Sequence, residues 1–187
     1  RNASLIPLKK FNQNDIIIFS DLDEFPSETG INEAIKLLNH SQPNSKEVNA
    51  CSLDQTFFYY NLHNAAPYEK FYGSVITTLK TFRKFLPHKL RSQKNDLAHI
   101  NDGGWHFSYF MDEEKILKKI NAIGDVENLS FYKNLSKSDI NKKIEAGIDL
   151  YDRGTKFDSL KYKSIPTNLL KIISKYLPYC TKNIKLN

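Results

Sequence analysis

The first long apolar run of the chain, residues 16–19, is followed by three acidic residues and a proline. Four consecutive large apolar residues predict a strand buried on both faces, which is typical of a parallel sheet. Beyond the proline, Ile31, Ala34, Ile35 and Leu38 recur at helical spacing, and Thr29 can cap the helix that they predict. These segments therefore predict a strand, an acidic turn and a helix.

Alternating and aromatic-rich segments predict the other strands, at residues 48–53, 56–62, 73–79, 97–100 and 105–110. The last two flank the sequence Asn101-Asp102-Gly103-Gly104, which predicts a turn. Residues 87–95 are basic and irregular, and they predict a loop or a short helix.

The second half of the chain is more helical. Asp112 predicts the cap of a helix that runs to about residue 122, and Ser136 with Asp139 predicts a capping box. Pro166 predicts the start of a last helix at residues 167–176. Strands followed by helices predict an α/β fold, in which helices flank a mixed central sheet with the strand before Asp21 near its centre.

Composition supports one folded domain over residues 1–187, since 40% of the residues are hydrophobic and 12% are aromatic. The net charge of +6 is carried by scattered lysines, which favours a basic surface and anionic substrates over a nucleic-acid partner. No apolar stretch is long enough to span a bilayer. Cys51 and Cys180 match no zinc or redox spacing, so they could pair or stay reduced.

The acidic residues after the first strand are the main candidate for chemistry. If the strand continues, Asp21 and Asp23 point to the same face, where they could share a hard divalent cation. Acidic residues are also common in solvated turns, which is the alternative interpretation of this pair.

A second candidate is the sequence Gly103-Gly104-Trp105-His106. The glycines would allow a close backbone approach to a ligand. Trp105 could stack on a sugar ring or fill the core, and His106 could be a metal ligand, a base or an interior histidine.

A third candidate is the acidic pair Asp125 and Glu127, just past a predicted helix. The end of a solvated helix is the alternative interpretation of this pair.

The chain resembles glycosyltransferase family 17, the family of β-1,4-mannosyl-glycoprotein 4-β-N-acetylglucosaminyltransferase. The resemblance extends to about Pro178, and four segments carry it: 15–26, 58–62, 103–109 and 147–151. It implies an inverting, GT-A-like transferase that uses UDP-GlcNAc, a divalent cation (Mn²⁺, with Mg²⁺ as the alternative) and a glycan acceptor.

The resemblance also implies roles for individual residues. Asp21 and Asp23 would hold the metal on the diphosphate, and His106 would complete the metal shell or contact substrate. The candidate bases that deprotonate the acceptor hydroxyl are Asp102, Asp125 and Glu127. The expected substrate-binding residues are Glu24, Tyr60, Asn61, Gly103, Gly104, Trp105 and His106.

Two departures from the family pattern matter. Family members carry an upstream region before the acidic motif, so we expect this chain to be a fragment of a longer protein. Many relatives have a histidine where Asp125 stands. Localisation is left open, between the cytoplasm for a microbial or viral protein and the Golgi for a eukaryotic one.

Two other functions compete with the transferase. A haloacid-dehalogenase-like phosphatase also places Asp-x-Asp after an apolar strand, with one aspartate as nucleophile beside Mg²⁺. A non-catalytic carbohydrate-binding module would use the aromatic segment 57–60 for sugar stacking.

Overall fold

The structure is a computed structural model, and it describes residues 2–40, 48–66, 70–122, 135–157 and 165–181. Within these residues, the chain divides into two compact units. Unit 1 comprises Arg1–Thr56 and Lys70–His106, and unit 2 comprises Phe57–Glu69 and Phe107–Asn187.

Five strands form one mixed sheet in the described part of the chain: β1 (Ile16–Phe19), β2 (Glu24–Pro26), β3 (Ala50–Tyr59), β4 (Tyr72–Thr78) and β5 (Ala98–Ser108). Their order across the sheet is β1-β4-β3-β5-β2. The pairs β1 with β4, β3 with β4 and β2 with β5 are antiparallel.

The prediction that the first strand lies near the sheet centre in parallel surroundings is wrong, because β1 is an edge strand antiparallel to β4. Its apolar run has another cause. Ile16 packs on the core of one face of the sheet, whereas Ile17 and Phe19 pack on the core of the other. Ile18 is exposed, so an edge strand that is only partly covered on its two faces carries the same sequence pattern as a central strand.

The six described α-helices are α1 (Glu28–His40), α2 (Leu79–Phe85), α3 (Pro87–Ser92), α4 (Glu113–Ala122), α5 (Lys137–Ala146) and α6 (Thr167–Tyr176). Short 3-10 segments occur at Asn2–Leu5, Pro7–Lys10, Lys94–Asp96 and Pro178–Thr181. The predicted helices α1, α4, α5 and α6 are confirmed, including the capping box of Ser136 and Asp139. The predicted cap of α1 is wrong, because Thr29 lies inside the helix and Ser27 Oγ accepts the hydrogen bond from the Gly30 N–H.

Other predicted boundaries are wrong. Residues 48–53 and 56–62 contribute to one strand, β3, which carries an irregularity between Ser52 and Asp54. The predicted turn at residues 101–104 lies inside the continuous strand β5. Pro26 belongs to β2 at the sheet edge, where a residue without an N–H group is tolerated.

The core of unit 1 lies on both faces of the sheet. Ala34 and Leu38 of α1 pack with Leu53 and Ile76 on one face, and Leu79, Phe82 and Leu90 pack with Val75 on the other. The strands and turns between these layers are therefore held from both sides.

The core of unit 2 is rich in tyrosine. Tyr59, Tyr60 and Tyr109 pack with apolar residues of α4 and α5, among them Ile116 and Ile140. None of the described helices is long and apolar enough to cross a membrane.

Candidate active site

The acidic residues lie in the turn that joins β1 to β2, in unit 1. The turn is closed by the Glu24 N–H, which donates to the Asp21 carbonyl over 3.1 Å, and the Asp21 N–H donates to Glu24 Oε2 over 3.1 Å. Because β1 ends at Phe19, the alternation of a strand does not govern Asp21 and Asp23. Each aspartate instead faces a different partner.

Arg91 of α3 holds two of the three carboxylates. Its two terminal nitrogens form ion pairs with Glu24, and Nη2 also donates to Asp21 Oδ2 over 2.5 Å. The Glu24 side chain is fully buried, whereas that of Asp21 is 45% exposed. Buried charges need such pairing, so Arg91 fixes the base of the turn and leaves one face of Asp21 open to solvent.

Asp23 is directed toward His106 of β5. Its Oδ1 lies 3.8 Å from Nδ1 of His106, and the Asp23 side chain is 36% exposed. The pairing of β2 with β5 sets this proximity, since Glu24 lies opposite His106 in the register. A carboxylate and an imidazole therefore share one edge of the sheet.

The His106 ring is buried and packs on Phe71, with 4.2 Å between the ring centroids. Burial lowers the pKa of His106 to about 4, although the charge of Glu24 opposes the shift. The positive charges of Lys94 and Arg91 also lower this pKa. At neutral pH the ring is uncharged, so one of its nitrogens carries a lone pair.

The predicted glycine pair packs against the protein itself. A Cβ at Gly103 would lie 2.5 Å from Leu53 Cβ, and one at Gly104 would lie 2.1 Å from the Phe25 carbonyl oxygen. The close approach that we expected for a ligand is thus made by β3 and β2. Trp105 is half-buried and lies opposite Phe25 in the register.

Asp102 lies on β5, four residues before His106. The backbone is not extended at Asp102, which has a φ of 50°. The side chain of Asp102 is exposed, and its carbonyl accepts a hydrogen bond from Ser27 Oγ over 2.8 Å.

The remaining predicted site residues belong to unit 2. Tyr60 and Asn61 line a pocket there together with residues of α4 and α5. Asp125 and Glu127 lie outside the described residues.

Two basic residues near the turn were not predicted from the sequence. Arg91 is 67 positions from Glu24, and it stood in a segment predicted as a loop or a short helix. Lys94 lies with its Nζ 4.4 Å from the centre of the Phe71 ring. The only sequence signal was the basic character of residues 89–94, which gave no indication of the partner.

A metal ion implied by the resemblance can be tested against these side chains. Among the described residues, no three His, Cys, Asp or Glu side chains gather as metal ligands. Asp23 and His106 offer one oxygen and one nitrogen donor, a set that suits Mn²⁺. The residues fit a metal that takes its other ligands from water and substrate phosphates, as is common for such ions.

The comparison with protein families gives the class of the protein: it is a glycosyltransferase. Residues 2–175 match the model of Glycosyltransferase family 17, so the chain belongs to that family. The match confirms the family that the sequence motifs indicated. Comparisons with curated proteins and with solved structures found no match.

Proposed function

We propose that this chain transfers N-acetylglucosamine from UDP-GlcNAc to a sugar hydroxyl with inversion at the anomeric carbon, and that it requires a divalent cation. The observation that supports this most is the juxtaposition of Asp23 with His106 in a chain that belongs to family 17. The acceptor in this proposal is a glycan of the β-1,4-mannosyl-glycoprotein type, and the scaffold is GT-A-like.

In this proposal Asp23 and His106 hold the cation, with Mn²⁺ preferred over Mg²⁺ because His106 offers nitrogen. When bound, the cation supplies Lewis acidity at the diphosphate of the donor. The Asp21 carboxylate is partly exposed to solvent, although its ion pair with Arg91 already neutralises part of its charge.

Two basic side chains also support a diphosphate site here. Arg91 and Lys94 both act on the electrostatics of His106, so they place positive charge near the proposed diphosphate site. Such charges favour the binding of an anionic donor. Arg91 also offsets the negative charges of Asp21 and Glu24, which would otherwise repel the donor.

Inversion requires a single displacement. The acceptor hydroxyl forms a bond to the anomeric carbon as the bond to UDP breaks, and a carboxylate takes the hydroxyl proton. Asp102, Asp125 and Glu127 remain the candidates for this base. The structural surroundings favour the transferase over the phosphatase, because a nucleophilic Asp21 would have to leave the ion pair with Arg91.

The direct test is Asp23→Asn in a transfer assay with UDP-GlcNAc, Mn²⁺ and a mannose-containing glycan. We expect activity to fall about a hundredfold, because one cation ligand is weakened, while the melting temperature is retained. Asp152→Asn is the matched control, since Asp152 is an exposed residue in a surface ion pair with Lys143. Equal activity of the two variants would contradict the assignment of Asp23.

The base can be identified by comparing Asp102→Asn, Asp125→Asn and Glu127→Gln. Loss of a general base lowers the rate of the chemical step by about 10²–10⁴-fold. We expect one variant to show this loss in kcat with unchanged affinity for UDP-GlcNAc. Three variants with native kcat would contradict the proposed set of bases.

A further inference from the structure

Unit 2 contains a pocket of about 620 Å³, which lies within the size range of small-molecule sites. Three parts of this unit form its walls: the segment after β3, the start of α4 and one face of α5. Tyr179 near the described C-terminal end adds an aromatic ring.

The framework of the pocket is fixed by internal hydrogen bonds. Tyr60 donates its hydroxyl to the Ile148 carbonyl over 3.1 Å, and Asn64 Nδ2 donates to the Ile144 carbonyl over 3.0 Å. Tyr179 donates its hydroxyl to the Phe110 carbonyl over 3.1 Å. These bonds tie the wall elements to one another, so the pocket is preformed.

Three polar side chains of the lining are not used in this way. The side chains of Glu113, Asn141 and Glu145 line the pocket and make no hydrogen bond or ion pair with any described residue. Asn141 and Glu145 are one turn apart on α5, and Ile144 lies between them on the same face. The pocket thus combines two carboxylates and an amide with an apolar surface.

The charges of the lining indicate the class of ligand. Among the described residues, no lysine or arginine lines the pocket, whereas three carboxylates do, those of Asp112, Glu113 and Glu145. Asp112 is paired with Lys115, and the other two carboxylates keep their full negative charge. A diphosphate would be repelled there, because like charges oppose binding. Carboxylates and amides suit a cation or the hydroxyl groups of an uncharged ligand. The apolar surfaces of Met111, Ile144 and Tyr179 favour a ligand that combines hydroxyl groups with apolar faces.

We propose that this pocket of unit 2 binds a neutral saccharide. The inference rests on the proposed function in one respect, because it identifies the saccharide as the glycan acceptor of the transferase. Asn141 and Glu145 would contact sugar hydroxyls, and Ile144 would contact a C–H face of the ring.

The test is a titration followed by ¹H–¹⁵N NMR, with chitotriose, mannotriose and maltotriose as probes of neutral oligosaccharide binding. The variants are Asn141→Ala and Glu145→Ala. Lys142→Ala is the matched control, because Lys142 is exposed on the same helix and does not line the pocket. All three changes are at surface positions of a helix, and thermal melting verifies that each variant is folded.

We expect at least one probe to bind the native chain and each pocket variant to weaken that binding about tenfold, the equivalent of about 1.4 kcal/mol. Lys142→Ala should stay within about twofold of native affinity, as expected for a solvated side chain. The proposal is overturned if no probe binds the native chain, or if the pocket variants bind as tightly as Lys142→Ala. Preferential binding of a lysine-rich peptide in the same pocket would also overturn it.

The same samples are titrated with UDP-GlcNAc and Mn²⁺. Saccharide binding that depends on Asn141, in a chain that does not bind the donor, would support the pocket and contradict the transferase. Donor binding without any pocket-dependent saccharide binding would contradict the pocket alone.

Discussion

Arg91 is the residue that organises the acidic turn of unit 1. Its guanidinium is 6% exposed and faces the buried Glu24 carboxylate, while Asp21 accepts from the same nitrogen. It also donates to the Gly73 carbonyl over 2.5 Å, which anchors it to β4. The orientation of Asp21 therefore depends on a side chain that lies far away in the sequence.

The first prediction concerns this buried ion pair. Arg91→Met should lower the free energy of unfolding by about 3–5 kcal/mol, because it leaves the buried Glu24 carboxylate without its partner. Glu24→Gln should cost less, because Arg91 keeps its ion pair with Asp21. The measurement is urea denaturation of each variant. The double variant should lose less stability than the sum of the single variants, since the two residues are coupled.

The control for this prediction is Lys36→Ala on α1. Lys36 forms an exposed ion pair with Glu33, and such pairs contribute at most about 1 kcal/mol. If Arg91→Met costs no more than Lys36→Ala, the buried pair does not organise the turn.

The acidic residues could be predicted from the sequence, but their partners could not. Asp21, Asp23 and His106 stood out because their residue types are common in metal sites, whereas the distance from Arg91 to Glu24 along the chain hid their pairing. The predicted common face of Asp21 and Asp23 assumed a longer strand. The structure ends that strand early, so the two carboxylates have different neighbours.

At the scale of secondary structure, β5 shows why glycine patterns are ambiguous. Asn-Asp-Gly-Gly is a local turn signature, yet here it runs through a strand that lies beside both β3 and β2. The missing side chains of Gly103 and Gly104 leave room for these neighbours. Helices with strong caps were predictable because the signals that define them are local. The conformation of residues 101–104 depends instead on contacts with β3 and β2.

The second prediction compares two glycines with positive φ. Gly104 has a φ of 132° and almost no space for a Cβ, whereas Gly154 has a φ of 88° and nothing within 4 Å of an added Cβ. Gly154→Ala should therefore cost only the backbone strain, about 1–2 kcal/mol. Gly104→Ala should cost more than about 4 kcal/mol, because the new methyl group would collide with β2.

Thermal and urea denaturation of both glycine variants measure this difference. A Gly104→Ala chain as stable as Gly154→Ala would contradict the close packing of β5 against β2.

At the scale of the whole molecule, the described residues form two units with separate cores. Composition predicted a folded chain with a sizeable core, and the mixed sheet flanked by helices is confirmed. The division into units was not predictable, because no linker or shift in composition marks it. The boundary between the units falls inside the two longest strands, β3 and β5, where no break in the sequence pattern marks it.

The two cysteines, left open by the sequence, are free and buried in the structure. Burial raises the pKa of both thiols to about 12. At pH 8 only about one thiol in ten thousand is ionised, so we expect almost no reaction with a disulfide reagent such as DTNB.

The same reagent should titrate two thiols after unfolding in guanidinium chloride. Raising the pH from 8 to 9 in the folded state should leave the reaction slow, because both values lie well below the raised pKa. Rapid reaction of either thiol in the folded chain would contradict its burial.

In the function that we propose, Asp23 and His106 hold a cation that binds the donor diphosphate. The most direct test is calorimetric titration of UDP-GlcNAc into the native chain and into Asp23→Asn, each with Mn²⁺ and with a chelator. We expect binding by the native chain that requires Mn²⁺ and is lost in the variant. Native binding that is equally strong in chelator, or equally strong in Asp23→Asn, would contradict it.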